Sequence, residues 1–310
     1  MTMRAFGRMK VLSLAAAAMV LVAATAGGTD FCRRTSEDAL QACRDGAKSD
    51  YRLALAKCHN LRDRADRDAC RNQALKDMKD ARQTCQDQFD ARIVVCEHLG
   101  GAPYDPEIQP KDFVTTIDNP YFPLTPGTTR TYLARTAQGR VRNVVATTHH
   151  TVVILGVTCV EVHDSVFTDG ELTEDTLDWF AQDKKGNVWY FGENTLEIED
   201  GLIVSTEGSF MAGVDGAKPG IIMKAHPAVG DFFRQEFVLG QGEDVEEVIA
   251  LNESVKVPFG SFKHCVEIEE TTALEPETTV HDFYAPGIGP VLSIDMPSNE
   301  RLELVDVTME

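Results

Sequence analysis

Three patterns of apolar and polar positions succeed one another along the chain. Residues 11–24 form an apolar run of about fourteen residues behind Arg4, Arg8 and Lys10. Further on, "ACRDGAKSDYRLALAKC" (42–58) and "ACRNQALKDMKDARQTC" (69–85) share an A-C-R-x-x-A-x-x-D-x-x-x-A-x-x-x-C frame without proline. Their Ala, Leu, Lys, Arg and Asp content predicts one helix in each, despite Gly46. From about Thr128 the period drops to two, in runs such as "RTYLART", "RVRNVVATTHH", "TCVEVHDSVF", "NVWYFGE", "EEVIALN", "VEIEETT" and "VLSIDM". Turn residues separate these runs: Gln138-Gly139, Asp169-Gly170, Asp200-Gly201 and Gly240-Gln241-Gly242. Strands this regular predict an antiparallel meander, built as a curved sheet, a sandwich or an open barrel. "DWFAQDKKGNVWYFGE" reads as its clearest hairpin. The fold class is therefore α+β, a helical hairpin followed by a mostly antiparallel β domain.

The cysteines turn the helical pattern into a pairing. Cys58 and Cys70, Cys43 and Cys85, and Cys32 and Cys96 are each equidistant from Arg64. Antiparallel helices place residues equidistant from their turn face to face, and Asn60, Asp63 and Asp66 suit that turn. Spacings of fifteen and eleven residues advance ~60° and ~20° beyond whole turns, which keeps each set of three cysteines on one stripe. Three nested bridges are expected: Cys58–Cys70, Cys43–Cys85 and Cys32–Cys96. Neither the C-x2–4-C spacing of a zinc site nor the C-x-x-C of a redox dithiol occurs. Cys159 and Cys265 each precede Val-Glu in a strand pattern, and a fourth bridge, Cys159–Cys265, is expected between them.

Charge and targeting narrow the function. Ala24-Thr25-Ala26 closes the apolar run with the small–x–small pattern of a cleavage site, so residues 1–26 read as a signal peptide. Thr29-Asp30-Phe31 before Cys32 is not a lipobox, and the expected product is exported and soluble, in the periplasm or outside the cell. The domain organisation is then 27–98 for the hairpin, a Gly- and Pro-rich linker over 99–117, and 118–310 for the β domain. The formal net charge is −19, and residues 99–310 hold 13 Lys/Arg against 36 Asp/Glu. Such a surface repels phosphate backbones and excludes nucleic acid as a partner.

Candidate chemistry is sparse. There is no G-x-S-x-G elbow, H-E-x-x-H, phosphate loop or EF-hand loop. His149 and His150 occupy adjacent strand positions and face opposite sides. The acidic stretch around "TDGELTEDTLD" offers Asp169, Glu171, Glu174, Asp175 and Asp178 as oxygen ligands for calcium, the single cofactor suggested. Glu174 and Asp178 could also act as an acid–base pair on a glycoside. "STEGSFMAGVDGAKPGIIM" (205–223) interrupts the strand rhythm. It is expected to rim a pocket, with Glu207 and Asp215 on it and Trp179, Trp189, Phe210 and Met211 as walls.

"NPYFPLTPGTTRTY", "VKVPFGSFKHCVEI" and "HDFYAPGIGPVLSI" resemble uncharacterised secreted bacterial β-sheet proteins that share a YFPL–PG–Y opening, a V-P-x-G-x-F–C strand and a Y-A-P-G-x-G-x-V strand. The resemblance spans residues 118–295. Through families with the curved half-barrels of lipoprotein carriers it implies an apolar cleft. Three functions are expected in order. The first is an exported, non-catalytic binding or envelope-associated structural protein, partnered by a small apolar ligand or an envelope protein. The second is a carrier or sensor of a small apolar ligand. The third is a secreted carboxylate-dependent hydrolase, with or without calcium.

Overall fold

The computed structural model describes residues 30–310; the expected signal peptide, residues 1–26, lies outside them. Asp30 caps helix α1 (Phe31–His59) by accepting from the Arg33 amide, and Asp63 caps α2 (Arg64–Leu99) through the Ala65 and Asp66 amides. Arg67 turns back to donate to the Leu61 and Arg62 carbonyls, which braces the reversal. Three nested disulfides, Cys58–Cys70, Cys43–Cys85 and Cys32–Cys96, join the helices at Cα separations of 5.5, 5.8 and 5.7 Å. Apart from cysteines, the helices bury only Ser36, Ala47, Ala74, Arg92 and Val95. The bridges thus hold together a pair with little core of its own. Neither helix is long and apolar enough to cross a membrane.

After the helices, β1 (Phe113–Val114) pairs with the end of a later strand, and two meanders follow. The first comprises β2 (Thr128–Thr136), β3 (Gly139–Ile154), β4 (Val157–Thr168), β5 (Glu171–Asp183) and β6 (Val188–Glu199). Three short strands, β7 (Leu202–Ser205), β8 (Phe210–Met211) and β9 (Lys218–Met223), pair with successive parts of β6. Then come β10 (Phe232–Arg234) and β11 (Glu236–Phe237). The second meander is β12 (Asp244–Val257), β13 (Gly260–Thr272), β14 (Thr279–Ala285), β15 (Gly289–Asp295) and β16 (Glu300–Met309). β16 pairs with β2, so both meanders form one antiparallel sheet that curls into a nearly closed barrel.

The segment 232–237 closes the barrel by changing partners. β10 pairs with β12, β11 pairs with β9, and between them the Gln235 amide donates to the Asp244 carbonyl at 2.9 Å. The two backbones meet so tightly that a Cβ on Gly220 would lie 2.3 Å from the Gln235 carbonyl oxygen. Only glycine fits there.

The loop before β2 plugs one end. Asn119 donates to the Gly186 and Lys224 carbonyls at 2.9 and 3.1 Å, and Phe122 packs on Phe180 and Tyr284 with ring centroids 5.3 and 6.3 Å apart. The linker is partly structural, since Ile108 and Phe113 pack on the outer face of the barrel beside Trp189 and Phe191. The hairpin docks through Arg92, whose guanidinium makes two 2.8 Å bonds to Glu243, and through Gln88, which donates to the Leu274 carbonyl.

The expected Cys159–Cys265 bridge does not form: both cysteines are free and buried. Cys159 is on β4 and Cys265 on β13, with β14, β15, β16, β2 and β3 between them in the sheet, and the two pack in different apolar clusters. Matching sequence contexts mark similar strands, one in each meander, and not adjacent ones. Burial pushes the Cys159 thiol up to about 12 and raises that of Cys265 as well. Ellman's reagent is therefore expected to find no reactive thiol in the native protein and two per chain in guanidinium. No thiol in guanidinium would overturn this arrangement.

Candidate ligand site

Strand alternation turns one residue in two toward the barrel interior. Along several strands this inward row changes from apolar to acidic in a single step. Val162 precedes Asp164 on β4, Phe180 follows Asp178 on β5, and Val248 follows Glu246 on β12. Ile268 precedes Glu270 on β13, and Tyr284 follows Asp282 on β14. Glu193 on β6 stands opposite Asp178 across the strand pair, and Glu246 stands opposite Glu270. Six carboxyls thus form a belt above an apolar floor. Like acidic groups directly opposite one another are unfavourable in a sheet, and such rule-breaking concentrates at functional sites.

Polar neighbours hold some of these groups. Asn143 donates to Asp164, the Tyr190 hydroxyl donates to Asp178 Oδ1 at 2.6 Å, and Thr195 donates to Glu193 Oε2 at 2.9 Å. Gln235, with its amide nitrogen turned toward β12 and β13, donates to Glu246 Oε1 at 3.0 Å and to Glu270 Oε2 at 3.1 Å. The other Glu246 oxygen has no partner, although the residue is only 1% exposed.

Burial is the leading cause of a raised pKa at every belt carboxyl, because the charged form loses its hydration. Asp164 rises to about 6 and Glu193 to about 7, and Glu236 on the closing segment rises to about 9. Asp178, Glu246, Glu270 and Asp282 are also raised, and surrounding carboxylates push the first three in the same direction. Every belt carboxyl is therefore held toward its protonated form.

A cavity of about 320 Å³ lies where belt and floor meet. Asp164, Asp178 and Asp282 reach it from the acidic side, and Phe122, Phe180 and Tyr284 from the apolar side, with Tyr132, Arg130 and Gln235 along its wall. Its volume and its mixture of apolar surface with a few convergent polar groups are those of a small-molecule site.

Most of the residues expected to form a pocket lie elsewhere. Trp179, Trp189 and Met211 pack in the cluster on the outer face, and Trp189 donates its indole N–H to Asp183. Glu207 and Asp215 are exposed in turns beyond the edge of β6. Phe210 alone joins the interior, edge-on to Tyr190 at 5.4 Å. Residue parity is the reason: with Phe180 and Asp178 inward, Trp179 must point out.

The five expected calcium ligands do not converge either. Asp169 lies in the β4–β5 turn and accepts from the Arg140 amide, and Glu171 is exposed. Asp175 pairs with His163 at 2.7 Å on the outer side, while Glu174 and Asp178 share the opposite face. Among the described residues, no group of three or more His, Cys, Asp or Glu side chains is arranged to hold a metal ion.

No known protein family matches the chain, and no curated protein matches it. Among solved structures, a "putative lipoprotein" from Parabacteroides distasonis ATCC 8503 superposes over 61% of this chain and 98% of its own, at 12% identity and a TM-score of 0.34. An overlap that loose carries neither fold nor function across.

Proposed function

We propose that this is an exported, non-catalytic binding protein that holds a small amphiphilic molecule inside its barrel. The single observation that carries this reading is the cavity at the boundary between the aromatic floor and the carboxyl belt. A purely structural barrel would be expected to fill that space with side chains, and gathering six carboxyls, one buried and five half-buried, costs stability unless something uses them. Export is supported by the three disulfides of the hairpin, which persist in oxidising compartments. The belt also revises the expectation of an apolar ligand, since one side of the cavity offers carboxyls.

The test is titration with the neutral dye N-phenyl-1-naphthylamine. The protein is expected to bind it saturably, one dye per chain. Val145→Phe, which fills the cavity wall, should weaken binding at least tenfold with an unchanged circular dichroism spectrum. Equal binding by wild type and variant would overturn the assignment. A second reading rests on Asp178, which faces the same cavity and which burial holds toward its protonated form, the form a general acid needs. Turnover of a chromogenic glycoside that is lost in Asp178→Asn would move the assignment to a hydrolase.

A further inference from the structure

Given the reading of the barrel as a ligand site, we propose that the ligand is an organic cation. Its ammonium head would be seated among Asp164, Asp178 and Asp282, and its hydrocarbon body would lie against Phe122, Phe180 and Tyr284.

The charge pattern argues for a cation. Among the described residues, no Lys, Arg or His pairs with any of the six belt carboxyls. The one cation on the cavity wall, Arg130, is committed to the Ile288 and Pro123 carbonyls, at 3.0 and 2.8 Å. Carboxyls withdrawn from water are normally paired, and this belt, with Glu246 buried and the other five half-buried, has no protein cation paired to it. Glu246 sharpens the point. It shares the inward parity of Val248, its second oxygen has no donor, and the Gln235 side chain that holds its first oxygen itself lines the cavity.

The floor suits the other half of such a ligand. Phe180 and Tyr190 stack with centroids 4.8 Å apart, and Phe122 packs at 5.3 Å from Phe180. Aromatic faces attract ammonium groups and bury hydrocarbon. A carboxylate seated among Asp164, Asp178 and Asp282 would meet three acids of its own kind, and an alcohol would gain no charge pairing.

Binding is then linked to protons. Facing the belt are Glu174 from β5, Tyr190 from β6, Glu236 from β11 and Asp244 from β12, with Arg130 and Tyr132 from β2. β3, β15 and β16 contribute the non-titrating Asn143, Ser293 and Leu302. Every acid in this set is held toward its neutral form. An entering ammonium favours the carboxylate beside it, so a belt carboxyl gives its proton to solvent as the cation binds. Affinity should rise as pH rises from 6 to 8.

The experiment is calorimetric titration of the full chain with octylammonium, octanol and octanoate, in two buffers of different ionisation heat. Octylammonium is expected to bind one per chain, at least tenfold tighter than octanol and with measurable proton release, while octanoate does not bind. Asp178→Asn combined with Asp282→Asn should lower the ammonium affinity at least tenfold and the octanol affinity by much less. Octanol binding as tightly as octylammonium, or no proton release, would overturn the cation and leave the barrel site standing on the dye. Failure of both octylammonium and octanol to bind, together with an absent dye site, would overturn both.

Discussion

Arg92→Met is expected to destabilise the protein by about 3–5 kcal/mol, the largest single-residue effect anticipated outside the disulfides. Arg92 and Glu243 are 6% and 2% exposed, and they meet through two parallel 2.8 Å bonds across the junction of α2 and the barrel. Removing the guanidinium leaves a carboxylate that water cannot reach, with only the Gly240 amide still donating to it at 2.7 Å. Arg234 is near but does not replace the lost partner. It stacks on Phe237 and Tyr104, with its Nε unbonded. The test is urea unfolding of the single and double variants. Arg92→Met/Glu243→Leu should recover most of the loss, because an apolar pair of similar volume carries no buried charge. Additive losses in the double variant would show that the pair is not coupled. In the single variant the hairpin, still held by its bridges, should undock before the barrel melts, which hydrogen exchange along α2 would reveal.

Stability should also fall as pH rises, opposite to the usual behaviour of a salt-bridged acidic protein. The belt acids and Glu236 have folded pKa values above their unfolded ones, so between about pH 4 and pH 9 the folded state binds more protons than the unfolded chain. Stability is then greatest below the unfolded carboxyl range and is lost as pH passes about 6 for Asp164, about 7 for Glu193 and about 9 for Glu236. Each proton held only by the folded state gives a slope of about 1.4 kcal/mol per pH unit. Melting temperature should therefore drop steadily from pH 5 to pH 8. Glu246→Gln should melt higher than wild type at pH 8 and match it at pH 5. Glu277→Gln, an exposed control, separates this from general repulsion in a chain of net charge −19. A melting temperature that rises with pH would remove the protonated belt.

Those two effects come from residues whose importance differs in how it can be read. The helical hairpin is almost wholly local. Asp63 marks the cap, the repeated alanine frame marks two helices, and cysteines equidistant from Arg64 can meet only if the helices are antiparallel. The strands are local too, because period-two alternation and turn glycines need no partner to be recognised; the β5–β6 hairpin follows "DWFAQDKKGNVWYFGE" closely. The belt had a signal as well. Its acids fall in phase with the inward apolar residues, as in Val162-x-Asp164 and Ile268-x-Glu270, rather than on the alternate positions that face water. In a segment with 36 acids that phase is easily lost among the solvated ones.

Sequence alone therefore determined the elements, their order and the three bridges of the hairpin, since each rests on spacing within a short stretch. Tertiary structure decided which strands are neighbours, and with that everything about the site. Pairing β16 with β2 and handing 232–237 from β12 to β9 closes the sheet. Closure then assigns one parity of each strand to an interior that no single strand can define. The same closure separates Cys159 from Cys265, turns Trp179 and Trp189 outward, and brings Asp164, Asp178 and Asp282 from β4, β5 and β14 to one cavity. Register is the physical reason: a shift of one residue exchanges inside for outside, and only the completed sheet sets it.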